Sequence, residues 1–287
     1  MNFFLRMLRP LSLALVVTQC LALAQTVDTA KSIVHSQSAF SDAIEDNSFL
    51  IEEAYNQEPG VVQHISTGVY FTKPHNDFQY GFTQEWPLAG QTHQLSFTIP
   101  YSFKNESNSP GLGDVLLNYR YQLFSASNWA AVAPRFSLII PSGSVSRGSG
   151  SGSIGFQVAV PVSKRFSEFF VVHLNASATM FPRAKGTTAT GSEVRRTVST
   201  FSFGGSLILL ATKHLDFLLE VLGSSIGEID GSGDAVHTKE VILNPGLRAA
   251  VDLGNLQIVP GIGIPVSFLE GSRRTGLFFY LSFEHPF

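Results

Sequence analysis

The sequence predicts an all-β protein, a transmembrane antiparallel β-barrel of about twelve strands with short periplasmic turns and longer extracellular loops. Three observations carry this expectation. The chain is 44% hydrophobic and only 14% charged, yet no apolar run beyond residue 24 exceeds five residues, 207–211 being one. Segments of about ten residues alternate apolar and polar side chains. The connections between them alternate in length. A spanning helix needs about 20 consecutive apolar residues, whereas a spanning strand needs about ten with lipid on one side only.

Residues 1–24 read as a signal peptide: Arg6 and Arg9, then an apolar stretch from Leu11 to Val17, then Ala22-Leu23-Ala24 before a cleavage point at Gln25. The apolar stretch is short for an anchor helix, and Gln19 is a poor predecessor for a lipidated Cys20. Cys20 is the lone cysteine. The mature chain then forms no disulfide and no thiolate zinc site. Losing Arg6 and Arg9 takes the formal net charge from −3 to −5, which argues against a nucleic-acid partner. Residues 25–60 form a polar lead-in, expected on the periplasmic side. Within it, Phe49-Leu50-Ile51-Glu52-Glu53-Ala54-Tyr55 reads as one or two helical turns.

The barrel is expected over 61–287, with strands near 61–72, 77–86, 91–103, 113–124, 128–140, 152–163, 168–181, 196–211, 214–225, 238–252, 255–268 and 275–287. In 113–124, Val115, Leu117, Tyr119, Tyr121 and Leu123 oppose Asp114, Asn118, Arg120 and Gln122. In 275–287, Leu277, Phe279, Leu281, Phe283 and Phe287 oppose Ser282 and Glu284. Period two puts each set on one face of a sheet. Even-numbered connections are short (87–90, 125–127, 163–167, 212–213, 253–254). Most odd-numbered ones are longer and rich in Gly, Ser and Thr, the longest being 182–195 and 226–237. Pro100, Pro134, Pro161, Pro245, Pro260 and Pro265 fall inside expected strands, where each removes a ladder donor.

If the phenylalanine-rich face meets lipid, the lumen is lined by Glu85, Asp114, Arg120, Arg135, His173, Asp216, Glu220, Arg248, Asp252 and Glu284, with His64 among them. Arg120 and Arg135 are expected to pair with Asp114 or Glu85, since buried charges are paired. Arg183, Lys185, Arg195 and Arg196 could meet Glu228, Asp230 and Asp234 across the two longest loops. The histidines lack metal-ligand spacing, and no cofactor is implied. Gly148-Ser149-Gly150-Ser151-Gly152 lacks the lysine of a phosphate loop and reads as a mobile surface loop. Asn105-Glu106-Ser107 matches a glycosylation sequon in form only.

Gly111-Leu112-Gly113-Asp114-Val115-Leu116-Leu117-Asn118-Tyr119-Arg120-Tyr121-Gln122-Leu123 resembles the G-x-G-D…[RK]-Y strand of the family named for the MetA pathway of phenol degradation. Pro134 to Gly143 is similar to that family's following strand, which ends in a P-[ST]-G turn. The resemblance covers roughly 58–287 and implies an outer-membrane, transporter-like barrel; it supplies no catalytic residues. The expected function is therefore passive diffusion of small solutes, apolar or aromatic ones among them. The rivals are an outer-membrane lipid-modifying enzyme, a plugged structural barrel and a soluble exported β-protein. Expected partners are outer-membrane lipid, a small solute and, through Phe287, the barrel-assembly machinery. Deleting Phe287 is expected to lower the outer-membrane level of the protein and raise its periplasmic degradation, read by fractionation and immunoblot.

Overall fold

Twelve antiparallel strands close on themselves. The computed structural model describes residues 48–72, 76–104 and 110–287. The signal peptide, residues 25–47, His75 and the 105–107 sequon lie outside the described residues. The strands are β1 (Val61–Phe71), β2 (Asp77–Leu88), β3 (His93–Lys104), β4 (Gly111–Leu112 and Val115–Tyr121), β5 (Ala131–Val132 and Arg135–Ile140) and β6 (Gly155–Arg165). There follow β7 (Phe170–Thr187), β8 (Glu193–Thr212), β9 (Leu215–Ile229), β10 (Ala235–Ala249 and Val251–Leu253), β11 (Leu256–Gly263 and Val266–Leu269) and β12 (Ser272–Pro286). Each pairs with its sequence neighbours, and β1 pairs with β12 from Val61↔Pro286 to Phe71↔Gly276. Closure leaves no row of unpaired backbone groups, the condition for a sheet to cross lipid.

Alternation decides which side chains face out. On β4, Leu117 and Tyr119 are exposed, while Leu116, Asn118 and Arg120 are buried. On β12, Phe279 and Leu281 are exposed; Phe278, Tyr280 and Ser282 point inward. Leu207 and Leu219, opposite one another on β8 and β9, belong to the same outer apolar belt. Near the periplasmic turns an aromatic rim follows, where Lys164 Nζ lies 3.8 Å from the Trp129 ring centroid.

The in-strand prolines are accommodated by matched breaks in the neighbouring strand. Pro100 lies opposite the interruption in β4, and the Gly113 N–H still reaches its carbonyl at 2.8 Å. Pro161 faces the interruption in β5, which holds Pro134. Pro245 faces that in β11, which holds Pro265, and the Ile264 N–H donates to the Pro245 carbonyl at 2.9 Å. Pro260 lies opposite the gap at Ala250 between the two parts of β10. Pro182 marks the register shift between Arg196 and Val198. A proline that cannot donate costs nothing where its neighbour bulges away.

The loops differ from expectation. The 182–195 and 226–237 connections shrink to the turns 188–192 and 230–234, because β7, β8, β9 and β10 continue upward. β8 has 20 residues and β7 has 18, against 11 in β1. Twenty residues extend roughly 65 Å along the strand, and the apolar band is only about 25 Å tall. Above the membrane the outer face meets water and carries Arg183, Lys185, Glu193 and Arg195, so the outward apolar half of the period-two pattern disappears while pairing continues and Ala184, Val198 and Ile229 stay buried inside. The two hairpin tips touch: the Ala189 N–H donates to the Gly231 carbonyl at 2.8 Å, and Arg196 lies 3.9 Å from Asp234. Asp230 closes its turn by accepting the N–H groups of Asp234 and Ser232, which hold its carboxyl below the usual range. The longest described extracellular connection is 141–154. On the other rim, 122–130 is longer than expected.

A charge on the outer belt should be costly. Leu207→Arg is expected to lose about 2–4 kcal/mol in urea titration of the vesicle-embedded protein, with the folded form still migrating faster unheated than boiled.

Candidate functional site

The lumen is occupied by the chain's own lead-in. Residues 48–57 run inside the barrel, and each is buried. They form no helix, contrary to the sequence expectation, and at least this part of the lead-in is not free in the periplasm. A helix satisfies its own backbone; an irregular segment inside a barrel must be satisfied by the wall.

Two rows of inward side chains do this. Ser163, His173, Ser206, Glu220 and Asn244 lie opposite one another on five successive strands, β6 to β10. Glu220 Oε1 accepts three consecutive N–H groups, from Phe49 (2.9 Å), Leu50 (2.8 Å) and Ile51 (3.2 Å). Its Oε2 accepts from Asn244 Nδ2 at 2.8 Å. Ser163 Oγ accepts the Ala54 N–H at 2.7 Å, and Ser48 Oγ bonds Ser206 Oγ at 2.7 Å. One step above this row, Asn175 pairs with both the N–H and the carbonyl of Glu52, at 2.6 and 2.7 Å.

The second row is Gln94, Arg120 and Arg135 on β3, β4 and β5. Glu52 bridges the two arginines: Arg120 Nη2 donates to Oε2 at 2.8 Å, Arg135 Nε to Oε2 at 3.1 Å and Arg135 Nη2 to Oε1 at 2.5 Å. Arg135 also donates to Asn118 Oδ1 (3.1 Å), Gln157 Oε1 (2.8 Å) and Ser137. Gln94 Oε1 accepts the Gln57 N–H at 2.7 Å. Just beyond the row, Gln122 accepts the Asn56 N–H and donates to the Ala54 carbonyl.

Opposite the arginines the wall is apolar. Phe49 stacks on Phe278 with ring centroids 5.2 Å apart and tilts against Tyr280 at 5.5 Å. Gly246 and Gly261 form its floor; a Cβ on either would overlap the ring. Ile51, Leu222, Ile226 and Ile242 belong to the same cluster. A second buried apolar group, Leu116, Ile139, Phe181, Ala184, Val198 and Ile229, lies toward the extracellular end.

Several expected lumen residues stand elsewhere or have other partners. Asp114 does not meet Arg120. It sits at the extracellular end of β4, accepting the Gly143 N–H (2.9 Å), the Ser151 N–H (2.7 Å) and the Ser151 hydroxyl (2.6 Å). The 141–154 loop is thereby pinned, so the Gly148–Gly152 stretch is not a free surface loop. The aspartate of the G-x-G-D strand and the glycine of the P-S-G turn are two halves of one lock. Glu85 is buried and accepts from Gln94 Nε2 at 2.8 Å; the carboxylate bridging the arginines is Glu52, which comes from outside the barrel sequence. Arg248 pairs with Asp216 at 3.0 Å. Asp252 is exposed near a periplasmic turn, beyond the point where alternation can aim it inward. Glu284 is half-buried near the periplasmic rim, in register with Gln63. His64 faces outward, stacked on Phe283 at 4.6 Å. Phe287 is exposed, its N–H on the Gly60 carbonyl at 3.0 Å. His173 Nδ1 lies 2.6 Å from Ser163 Oγ. The second contact of that hydroxyl is the Ala54 amide, and the charged group beside His173 is Arg248, not an orienting carboxylate.

No family model matches the sequence, and no curated protein matches it. The family resemblance of the Gly111–Leu123 stretch thus rests on its motifs. The backbone is similar to the COG4313 outer membrane channel from Pseudomonas putida F1, with TM-score 0.61 at 12% identity over 82% of this chain and 98% of that one. It is more distantly similar to the NanC porin, with TM-score 0.47 at 10% identity over 78% and 100%. The CymD monoaromatic hydrocarbon channel gives 0.42 at 8% identity over 80% and 89%. The fold is that of a Gram-negative outer-membrane β-barrel, and the protein belongs in that membrane.

Removing one partner of a buried ion pair costs about 3–5 kcal/mol. Ala54→Cys, introduced into a mature chain expected to lack cysteine, should resist an impermeant maleimide. Adding Glu52→Ala is expected to raise its labelling rate roughly tenfold or more.

Proposed function

We propose that the protein is a channel for passive diffusion of small solutes, apolar or aromatic ones among them, held shut by residues 48–57. The observation that supports this most is the identity of what fills the lumen. Wall side chains fill the extracellular end, but the level of the arginine row is filled by a separate ten-residue segment, seated on glycines and held by side-chain hydrogen bonds. About eight strands give an interior that side chains alone can fill, and twelve enclose more. The space vacated by the segment has the cross-section of an extended chain, roughly 5 by 10 Å, enough for a single aromatic ring. A purely structural barrel needs no separable occupant.

The C-terminal strand ending on Phe287 is the element we assign to recognition by the barrel-assembly machinery. Kinship with the phenol-degradation family is proposed on the Asp114–Gly143 lock, which gives its two motifs a common physical role. In planar bilayers the wild type should open rarely, and the double variant Glu52→Gln, Phe49→Ala should conduct severalfold more. Equal, negligible conductance in both would overturn the channel reading.

A further inference from the structure

Among the inward-facing arginines, Arg248 and Arg274 take their acids from the wall, Asp216 and Glu240, each at 3.0 Å. Arg120 and Arg135 take the carboxylate that bridges them from the segment. When the segment leaves, Glu52 leaves with it, and the wall keeps two guanidinium groups near one acid, Glu85. The vacated position is shaped for a carboxylate. The Arg135 fork and an Arg120 Nη2 donor converge on it, and Asn118, Ser137 and Gln157 hold Arg135 in place. Guanidinium forks match planar carboxylates and cost less to preorganise than a lysine ammonium.

The opposite wall is built for the other end of such a molecule. Three residues before Glu52, Phe49 fills an aromatic slot formed by Phe278, Tyr280, Gly246 and Gly261. The segment thus places one carboxylate on the arginine row and one aromatic ring on the facing wall. Toward the extracellular end the lumen is filled by the buried apolar group around Phe181 and Ile139, which an entering solute has to part.

We infer that the permeating solute is an organic carboxylate with an apolar or aromatic body, and that it opens the pore by taking the place of Glu52 on Arg120 and Arg135. This rests on the channel reading above. The segment is then a tethered imitation of the solute, and opening is competitive: the incoming carboxylate restores the charge balance that the departing one removes.

The test uses the full-length protein in planar bilayers, with sodium benzoate as probe and benzamide as its uncharged counterpart. Benzoate at tens of millimolar should raise the open probability of the wild type severalfold, and benzamide should not. In the Glu52→Gln, Phe49→Ala variant, the reversal potential in a sodium benzoate gradient should show benzoate favoured over sodium. Adding Arg120→Gln and Arg135→Gln should abolish that preference. If the quadruple variant does not fold, the wild-type comparison of benzoate with benzamide decides alone. Equal opening by benzamide, or no effect of benzoate in a channel that the double variant opens, would overturn the inference and leave the channel standing. A double variant that never conducts would overturn both.

Discussion

The interior of a narrow barrel is a poor place for an unpartnered charge, and this protein puts two arginines there side by side. Register forces the neighbourhood: Arg120 and Arg135 lie directly opposite on adjacent strands, both pointing inward. Like charges at that spacing repel unless an anion lies between them. Glu52 is that anion, and its arrival fixes the rest of the segment. Once its carboxylate is on the arginines, Phe49 falls opposite on the glycine floor and the intervening amides fall on Glu220 and Asn175. The occupied lumen follows from the charge problem set by two facing strands.

A second constraint acts on the wall. Twelve strands closed without an edge leave no place to discard a proline, yet the chain places several within strands. The solution is local and repeated. Where one strand cannot donate, its neighbour breaks or shifts register, and the amide beside the gap turns to the proline's carbonyl. Each break also re-aims the following side chain, as at Asp114, which emerges from the β4 interruption facing the 141–154 loop.

The strand pattern was readable from sequence because lipid on one face and polar lumen on the other impose strict alternation. All twelve strands lie within a few residues of their expected spans in the part of the wall that meets lipid. Alternation failed where that contrast ends. Above the membrane the outward positions of β7 and β8 carry Arg183, Lys185, Thr187, Glu193 and Arg195 in place of apolar side chains and read as loop, and at the periplasmic rim Asp252 points to water. The occupant of the lumen was not legible by periodicity, since an irregular segment has none. Signals were nonetheless present: an acidic–aromatic stretch in a polar lead-in, and Gly246 and Gly261 at inward strand positions, where glycine marks the close approach of something else. Pairing rules alone sent Arg120 and Arg135 toward Asp114 or Glu85, because the acid that bridges them lies outside the barrel sequence.

The connection between the segment and β1 is short. Only residues 58–60 separate Gln57 from Val61, and they form a tight turn in which the Val61 N–H reaches the Glu58 carbonyl at 3.1 Å and Gly60 has φ +80°. A segment released from the lumen therefore stays leashed at the periplasmic rim, within its own length of the arginines. Such a leash gives an effective concentration on the order of millimolar. Reclosure is consequently first order and independent of how much protein the membrane holds, and any external competitor has to act at comparable abundance.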